Sequence, residues 1–205
     1  MVLVELTNFI IGLVASLGYV GVFIGMLIET VFMPLPSEVV MPLAGYVASI
    51  SGIGYIGLLG MIIAGTFGTV VGAIIIYYAA FTAGRHFLVR YGKYMFVDEK
   101  KLSVAERWFD KHGKMAIFLG RMAPGIRELI SIPAGLSKMD IKEFLLFTFA
   151  GSFVWTSVLG LVGYLLGESW GAGGLPGITS LIASILIMCL ITYFLFRILV
   201  KKIKK

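Results

Sequence analysis

Long apolar runs set the terms for this chain. They cover residues 9–28, 56–81, 144–166 and 178–199 of 205. A helix of about 20 apolar residues spans the hydrocarbon core of a bilayer. Within that core every backbone N–H and C=O must be paired inside the protein, which leaves helices or a closed barrel. Runs of this length predict helices, so the chain reads as an all-α integral membrane protein. Two charged clusters interrupt the pattern. IETVFMPLPSEVVMPLAG places Glu29 and Glu38 around Pro34 and Pro36. GRMAPGIRELISIPAG places Arg121 and Arg127 around Pro124. Ionised groups in hydrocarbon are expensive and usually face a cavity, a partner or water. These clusters are the candidate functional positions.

Charge is unevenly spread. The mean hydropathy is +1.00, and all 17 Lys and Arg fall at Arg85 or later. The net charge of +6 therefore points to cytoplasmic loops and anionic headgroups, not to nucleic acid. The region before residue 9 holds Glu5 and no Lys or Arg. It lacks the basic start of a signal peptide, so the run at 9–28 is expected to be retained. Gly12, Gly18, Gly21 and Gly25 divide that run, leaving open one spanning helix or a broken segment. Cys189 is the single cysteine. It suits a packed thiol, and no metal or disulfide pattern accompanies it.

Residues 56–81 form the clearest predicted span, with Gly57, Gly60, Gly65, Gly68 and Gly72 offering close helix contact. Residues 85–114 hold eight Lys or Arg and four Asp or Glu. Within them Leu102, Ala105, Trp108 and Phe109 share a helical face. This predicts a cytoplasmic amphipathic helix, either on the membrane surface or packed on the domain as a connector. Residues 118–136 carry Arg121, Pro124, Gly125, Arg127, Glu128, Pro133 and Gly135. A re-entrant hairpin shielded by protein suits them better than a spanning helix. Residues 33–50 behave alike through Pro34, Pro36, Glu38 and Pro42. A loop is expected at 168–177 and a last span at about 178–200.

Positive-inside counting places residues 85–114, Lys138–Lys142 and the C-terminal KKIKK in the cytoplasm. That is consistent only if residues 118–136 enter and return on one side. The segment at 33–50 then enters from the opposite side. The N-terminus is cytoplasmic if residues 9–28 cross. The two segments also match in sequence. Pro34 to Gly45 and Pro124 to Gly135 share one spacing and end in Ala-Gly. AGTFGTVVGAIIIYY matches AGSFVWTSVLGLVGY, pairing Gly65 with Gly151 and Tyr78 with Tyr164. Repeat one is set at about 9–84 and repeat two at about 98–167, within one membrane domain of opposed orientation. That is the plan of inverted-repeat transporters.

FLGRMAPGIRELISIPAG fits an aromatic-x-x-Arg-x-x-Pro-x-x-Arg pattern through Phe118, Arg121, Pro124 and Arg127. With Glu29, and with Glu38 after Pro36-Ser37, the chain resembles the DedA family, also described by its SNARE-associated or VTT domain. The resemblance runs over nearly the whole chain. It implies two opposed re-entrant hairpins and lipid transport in a bacterial cytoplasmic membrane. Bacterial members are similar to undecaprenyl phosphate translocases, and eukaryotic relatives to phospholipid scramblases. Dependence on the proton-motive force is also implied.

For such a carrier the expected phosphate ligands are Arg121 and Arg127, since guanidinium stays charged and forks onto phosphate. Six residues apart, they would diverge on one unbroken helix, whereas a break at Pro124-Gly125 permits convergence. The other reading makes them ion-pair partners of Glu29, Glu38 or Glu128. Glu29 and Glu38 are expected as proton carriers or as static partners of the arginines. Glu128 and Ser37 are secondary candidates, and turn formation is the simpler role for Ser37 and Ser131. Pro34, Pro36, Pro42, Pro124, Gly125 and Pro133 are expected as hairpin breakers. Trp155, Tyr77, Tyr78 and Tyr164 could line the lipid path, though packing between helices is the simpler expectation. No catalytic set, metal or cofactor is expected. The expected partners are undecaprenyl phosphate or a related anionic lipid, membrane phospholipids and a possible second copy of the chain. A scramblase, an ion-coupled solute transporter, a membrane lipid phosphatase and an assembly factor are the alternatives.

Overall fold

A computed structural model describes residues 12, 14, 16–32, 37–91, 99–123, 126–127 and 129–170. Among them the chain is all-α, with seven helices. In chain order these are α1 (Tyr19–Phe32), α2 (Ser37–Ile50), α3 (Gly54–Tyr91), α4 (Glu99–His112), α5 (Met115–Arg121), α6 (Ser131–Leu136) and α7 (Ile141–Trp170). The stretches Gly54–Thr82 and Ile141–Leu165 are long and apolar enough to cross a membrane, and they match the runs at 56–81 and 144–166. Pro34, Pro36, Pro124, Gly125 and Glu128 lie outside the described residues, as do Cys189, the run at 178–199 and the C-terminus.

Backbone chemistry explains where the helices start and stop. Gly18 has φ 53°, a left-handed conformation that suits glycine. It interrupts the apolar run at 9–28, so α1 starts at Tyr19 and continues past Ile28. Asp140 caps α7, its Oδ1 accepting from the amides of Lys142 at 2.9 Å and Glu143 at 3.1 Å. That satisfies amide groups that a helix start leaves without partners. Gly84, with φ 70° and ψ 172°, kinks α3 beyond the apolar part.

Two expectations about the prolines are corrected. Pro42 and Pro133 sit inside α2 and α6 and are not at breaks. Pro133 is in the first turn of α6, where a missing N–H loses no helical bond. Pro42 lies deeper and deprives the Glu38 carbonyl of its helical donor, yet α2 continues to Ile50. Its far side is held by α7, because Gly163 backs directly onto the Pro42 backbone. The loop expected at 168–177 also begins later, since α7 extends through Trp170.

The helices pack in two matched sets. α1 lies on α3 as α5 lies on α7, α2 lies on α7 as α6 lies on α3, and α3 meets α7. Exchanging α1 for α5, α2 for α6 and α3 for α7 maps these contacts onto one another, whereas the contacts of α2 with α1 and α3 have no comparable counterpart. The Ala-Gly ends of both sequence motifs make similar backbone contacts, offset by three residues from the register of the repeat. A Cβ added at Gly45 would stand 2.8 Å from the Tyr164 nitrogen, and one at Gly135 would stand 3.1 Å from the Phe81 nitrogen. Without side chains there, backbones approach closely and gain dispersion contact, which hydrocarbon surroundings do not otherwise favour.

Each pair of limbs also turns back on itself. The Tyr19 ring at the start of α1 lies over Gly60 near the start of α3, the helix that follows α2. Lys114, before α5, pairs with Glu143 in the first turn of α7. Both segments therefore end beside where they began. Helix α4 packs on α5 and α6 through buried Leu102 and half-buried Trp108 and Phe109. It is thus a connector packed on the domain.

The Gly163 contact gives a direct test. Gly163→Ala meets Pro42 backbone atoms that cannot step aside, whereas Gly160→Ala meets side-chain atoms of Ile62 and Leu58 at 3.2 and 3.3 Å. Overpacking typically costs about 1–3 kcal/mol. Thermal unfolding in detergent should show a clear loss of Tm for Gly163→Ala and a smaller one for Gly160→Ala. Equal shifts would contradict the close α2–α7 packing.

Candidate functional site

The two helix breaks meet. Glu29 lies near the end of α1, and Ser37 and Glu38 open α2. Arg121 is the last residue of α5, and Arg127 lies in the turn leading to α6. The Arg127 amide donates to the Ala123 carbonyl at 3.1 Å, which holds that turn. Glu29, Ser37, Arg121, Arg127 and Ser131 are all buried.

Arg127 is the hub. Its guanidinium donates to the Glu29 carboxylate and to the Ser37 hydroxyl. Glu38 Oε2 lies 3.6 Å from the same guanidinium. Trp155 of α7 donates its indole N–H to Ser37 Oγ at 3.1 Å, and its ring centre lies 5.3 Å from the Arg127 guanidinium carbon. The aromatic face adds a cation–π attraction. Glu38 also sits in the first turn of α2, where the helix dipole favours a negative charge. Arg121 donates to Ser131 Oγ at 2.6 Å. Each arginine thus has a serine partner, one across the two breaks and one within its own.

Arg121 and Arg127 line one cavity with Met26, Glu29, Thr30, Thr69, Ser152, Trp155 and Thr156. Its empty space is about 280 Å³, including the part that opens outward. The sequence prediction of convergent arginines is met geometrically, because α5 stops at Arg121 and frees the chain to turn. The charges balance across the cluster, with two arginines against Glu29 and Glu38. In a poorly hydrated site neutrality matters, since an unpaired buried ion carries a desolvation penalty of several kcal/mol.

Several participants were not anticipated. Packing was the simpler expectation for Trp155, and turn formation for Ser131 and for the secondary candidate Ser37. Both serines instead accept from arginine. The hydroxyls of Thr30, Thr69, Ser152 and Thr156 were not singled out. A signal was present in the sequence, since hydroxyl residues recur on one side of otherwise apolar helices. Tyr77 and Tyr164 do serve packing. Tyr77 bonds the Met139 carbonyl at 2.5 Å, and the Tyr164 ring lies 4.7 Å from that of Tyr55.

Removing one member of a buried pair strands the other. Arg127→Ala should destabilise the protein by about 3–5 kcal/mol. Adding Glu29→Gln should recover much of the loss, because the stranded carboxylate is gone. A double-mutant cycle in detergent, read by unfolding, measures this coupling. Additive effects of the two substitutions would contradict it.

A family model described as the VTT domain matches residues 35–165. The chain is 39% identical over 193 residues to "Uncharacterized membrane protein YkoX" of Bacillus subtilis (strain 168), covering 93% of this chain and 82% of that protein. It is 37% identical over 200 residues to an "Alkaline phosphatase-like protein" of Lactococcus lactis subsp. lactis (strain IL1403), covering 93% of this chain and 89% of that one. It is 37% identical over 155 residues to "Undecaprenyl phosphate transporter A" of Bacillus subtilis (strain 168), covering 76% and 75% respectively. No solved structure matches. With more than half of its length matched by the family model, the chain belongs to the VTT-domain family of membrane proteins, the DedA family.

Proposed function

We propose that this protein carries undecaprenyl phosphate, or a closely related polyprenyl phosphate, across the bacterial cytoplasmic membrane, coupled to protons. The observation that carries this reading is the sharing of Arg127 between Glu29, Glu38 and Ser37 at the buried meeting of two helix breaks. A long apolar tail can remain in lipid, but a phosphate headgroup needs a polar route. Arginine matches phosphate geometry and keeps its charge. As paired, the cluster of two arginines and two glutamates is neutral and holds little attraction for an anion. Protonating one carboxylate leaves a net positive site, which admits the headgroup. Headgroup and carboxylate then compete for the same guanidinium, and each proton taken up permits one anion to bind.

The topology proposed is an inverted repeat, with α1–α2 and α5–α6 as opposed re-entrant hairpins. Its support is the matching contacts of the two sets and the return of each hairpin to its starting end. In this reading the proton carriers are Glu29 and Glu38, the phosphate ligands are Arg121 and Arg127, and the repeats follow the boundaries expected from sequence. The charge asymmetry puts the segment around α4 on the cytoplasmic side. The relative named a transporter of undecaprenyl phosphate supports the choice of lipid.

The name of another relative raises hydrolysis. Ser37 is the buried hydroxyl placed at the centre of the cluster, and both of its side-chain partners donate to it. A serine nucleophile needs a base to take its proton, so this arrangement favours Ser37 as an acceptor that positions Arg127.

Proteoliposomes loaded with labelled undecaprenyl phosphate test the reading, with and without a pH gradient. Wild-type protein should move the lipid faster under the gradient. Glu29→Gln or Glu38→Gln should abolish that acceleration, and Arg127→Ala should slow transport at least about tenfold, the loss of one charged hydrogen bond. Gradient dependence unchanged in both Gln variants would sink proton coupling. Normal transport by Arg127→Ala would remove the site.

A further inference from the structure

The cavity beside the charged cluster holds two hydroxyls that ordinary helix packing does not explain. Inside a helix, Ser and Thr usually donate back to the carbonyl four residues earlier. Thr30, Thr66 and Thr156 do so, to Met26, Ile62 and Ser152 at 2.8, 2.8 and 2.9 Å. Thr66 and Thr156 also bond each other across α3 and α7 at 2.9 Å. Thr69 and Ser152 line the same cavity, have no hydrogen-bond partner, and are only 8% and 2% exposed. An unsatisfied buried hydroxyl is unfavourable. Valine and alanine would fill the same positions without that penalty.

We propose that Thr69 and Ser152 form, with Arg121, a subsite for one oxygen of a phosphate monoester. This rests on the transport reading above and adds the neutral half of the headgroup site. The two residues come from α3 and α7, so a bound oxygen bridges the two long helices. Their cavity is lined by both arginines and by Glu29, so it becomes positive toward the oxygen when that carboxylate takes up a proton. The cavity's empty space is about 280 Å³, including the part that opens outward, so one phosphoryl oxygen enters while the rest of the headgroup stays toward the opening. Arg127 is engaged by Glu29 and Glu38, and Arg121 donates to Ser131.

Binding of dodecyl phosphate and of inorganic phosphate to full-length protein in nanodiscs of neutral lipid tests this. Thr69→Val and Ser152→Ala each delete a hydroxyl with little change of shape. Thr148→Val is the control, because Thr148 is also buried and unpartnered but lies outside the cavity lining. Each cavity variant should weaken dodecyl phosphate binding about tenfold, as expected for a hydrogen bond to a charged group. Thr148→Val should stay within about twofold of wild type, a few tenths of a kcal/mol. Wild-type affinity in both cavity variants, or an equal loss in Thr148→Val, overturns the subsite. Inorganic phosphate bound as tightly as dodecyl phosphate, and weakened by the same two variants, upholds the subsite but overturns the lipid reading. Wild-type protein that binds neither probe overturns both.

Discussion

The polar groups at the meeting of the two helix breaks converge on the guanidinium of Arg127. It is buried, and it touches Glu29 from α1, Ser37 and Glu38 from α2, and the ring of Trp155 from α7. A lone cation at that depth would be prohibitive. The constraint therefore works backward through the structure. The carboxylates must sit at one helix break and the arginines at another, and the two breaks must meet. A continuous helix would keep Arg121 and Arg127 apart, so α5 ends where it does because the site requires it.

Close packing makes that meeting possible. Gly45, Gly135, Gly151 and Gly163 stand against backbone atoms of neighbouring helices. They hold α2 against α7, α6 against α3 and α5 against α7. The same geometry that stabilises an apolar bundle thus positions polar turns within it. Rocking one set against the other would alter which partner Arg127 holds, because its contacts come from both sets. Under the proposed function, such a change of partner would turn a static ion-pair cluster into a carrier when a headgroup and a proton arrive.

Much of this plan was legible in the sequence, for identifiable reasons. The runs at 56–81 and 144–166 appear as helices because length and hydropathy dominate in hydrocarbon. Arg121, Arg127, Glu29 and Glu38 stood out because charge is rare there, and the structure brings all four together. The prolines were less informative. Pro42 and Pro133 were expected as breakers and lie within helices, one on a supporting backbone contact and one in a permissive first turn. The run at 9–28 left its form open, and the positive φ of Gly18 settles where α1 begins. Thr69 and Ser152 were not singled out, since a recurrence of hydroxyls on one side of an apolar helix fits packing as well as binding. Only the orientation of three helices around one cavity separates those roles.

The central claim is that a phosphate headgroup and the Glu29 carboxylate compete for Arg127. Its most direct measurement is the affinity of nanodisc-embedded Glu29→Gln for dodecyl phosphate across pH, beside wild type. The account predicts that wild-type affinity falls as pH rises and the carboxylate loses its proton. It predicts that Glu29→Gln binds more tightly than wild type at neutral pH and has lost most of that pH dependence. Equal affinity and an unchanged pH profile in the two proteins would contradict it.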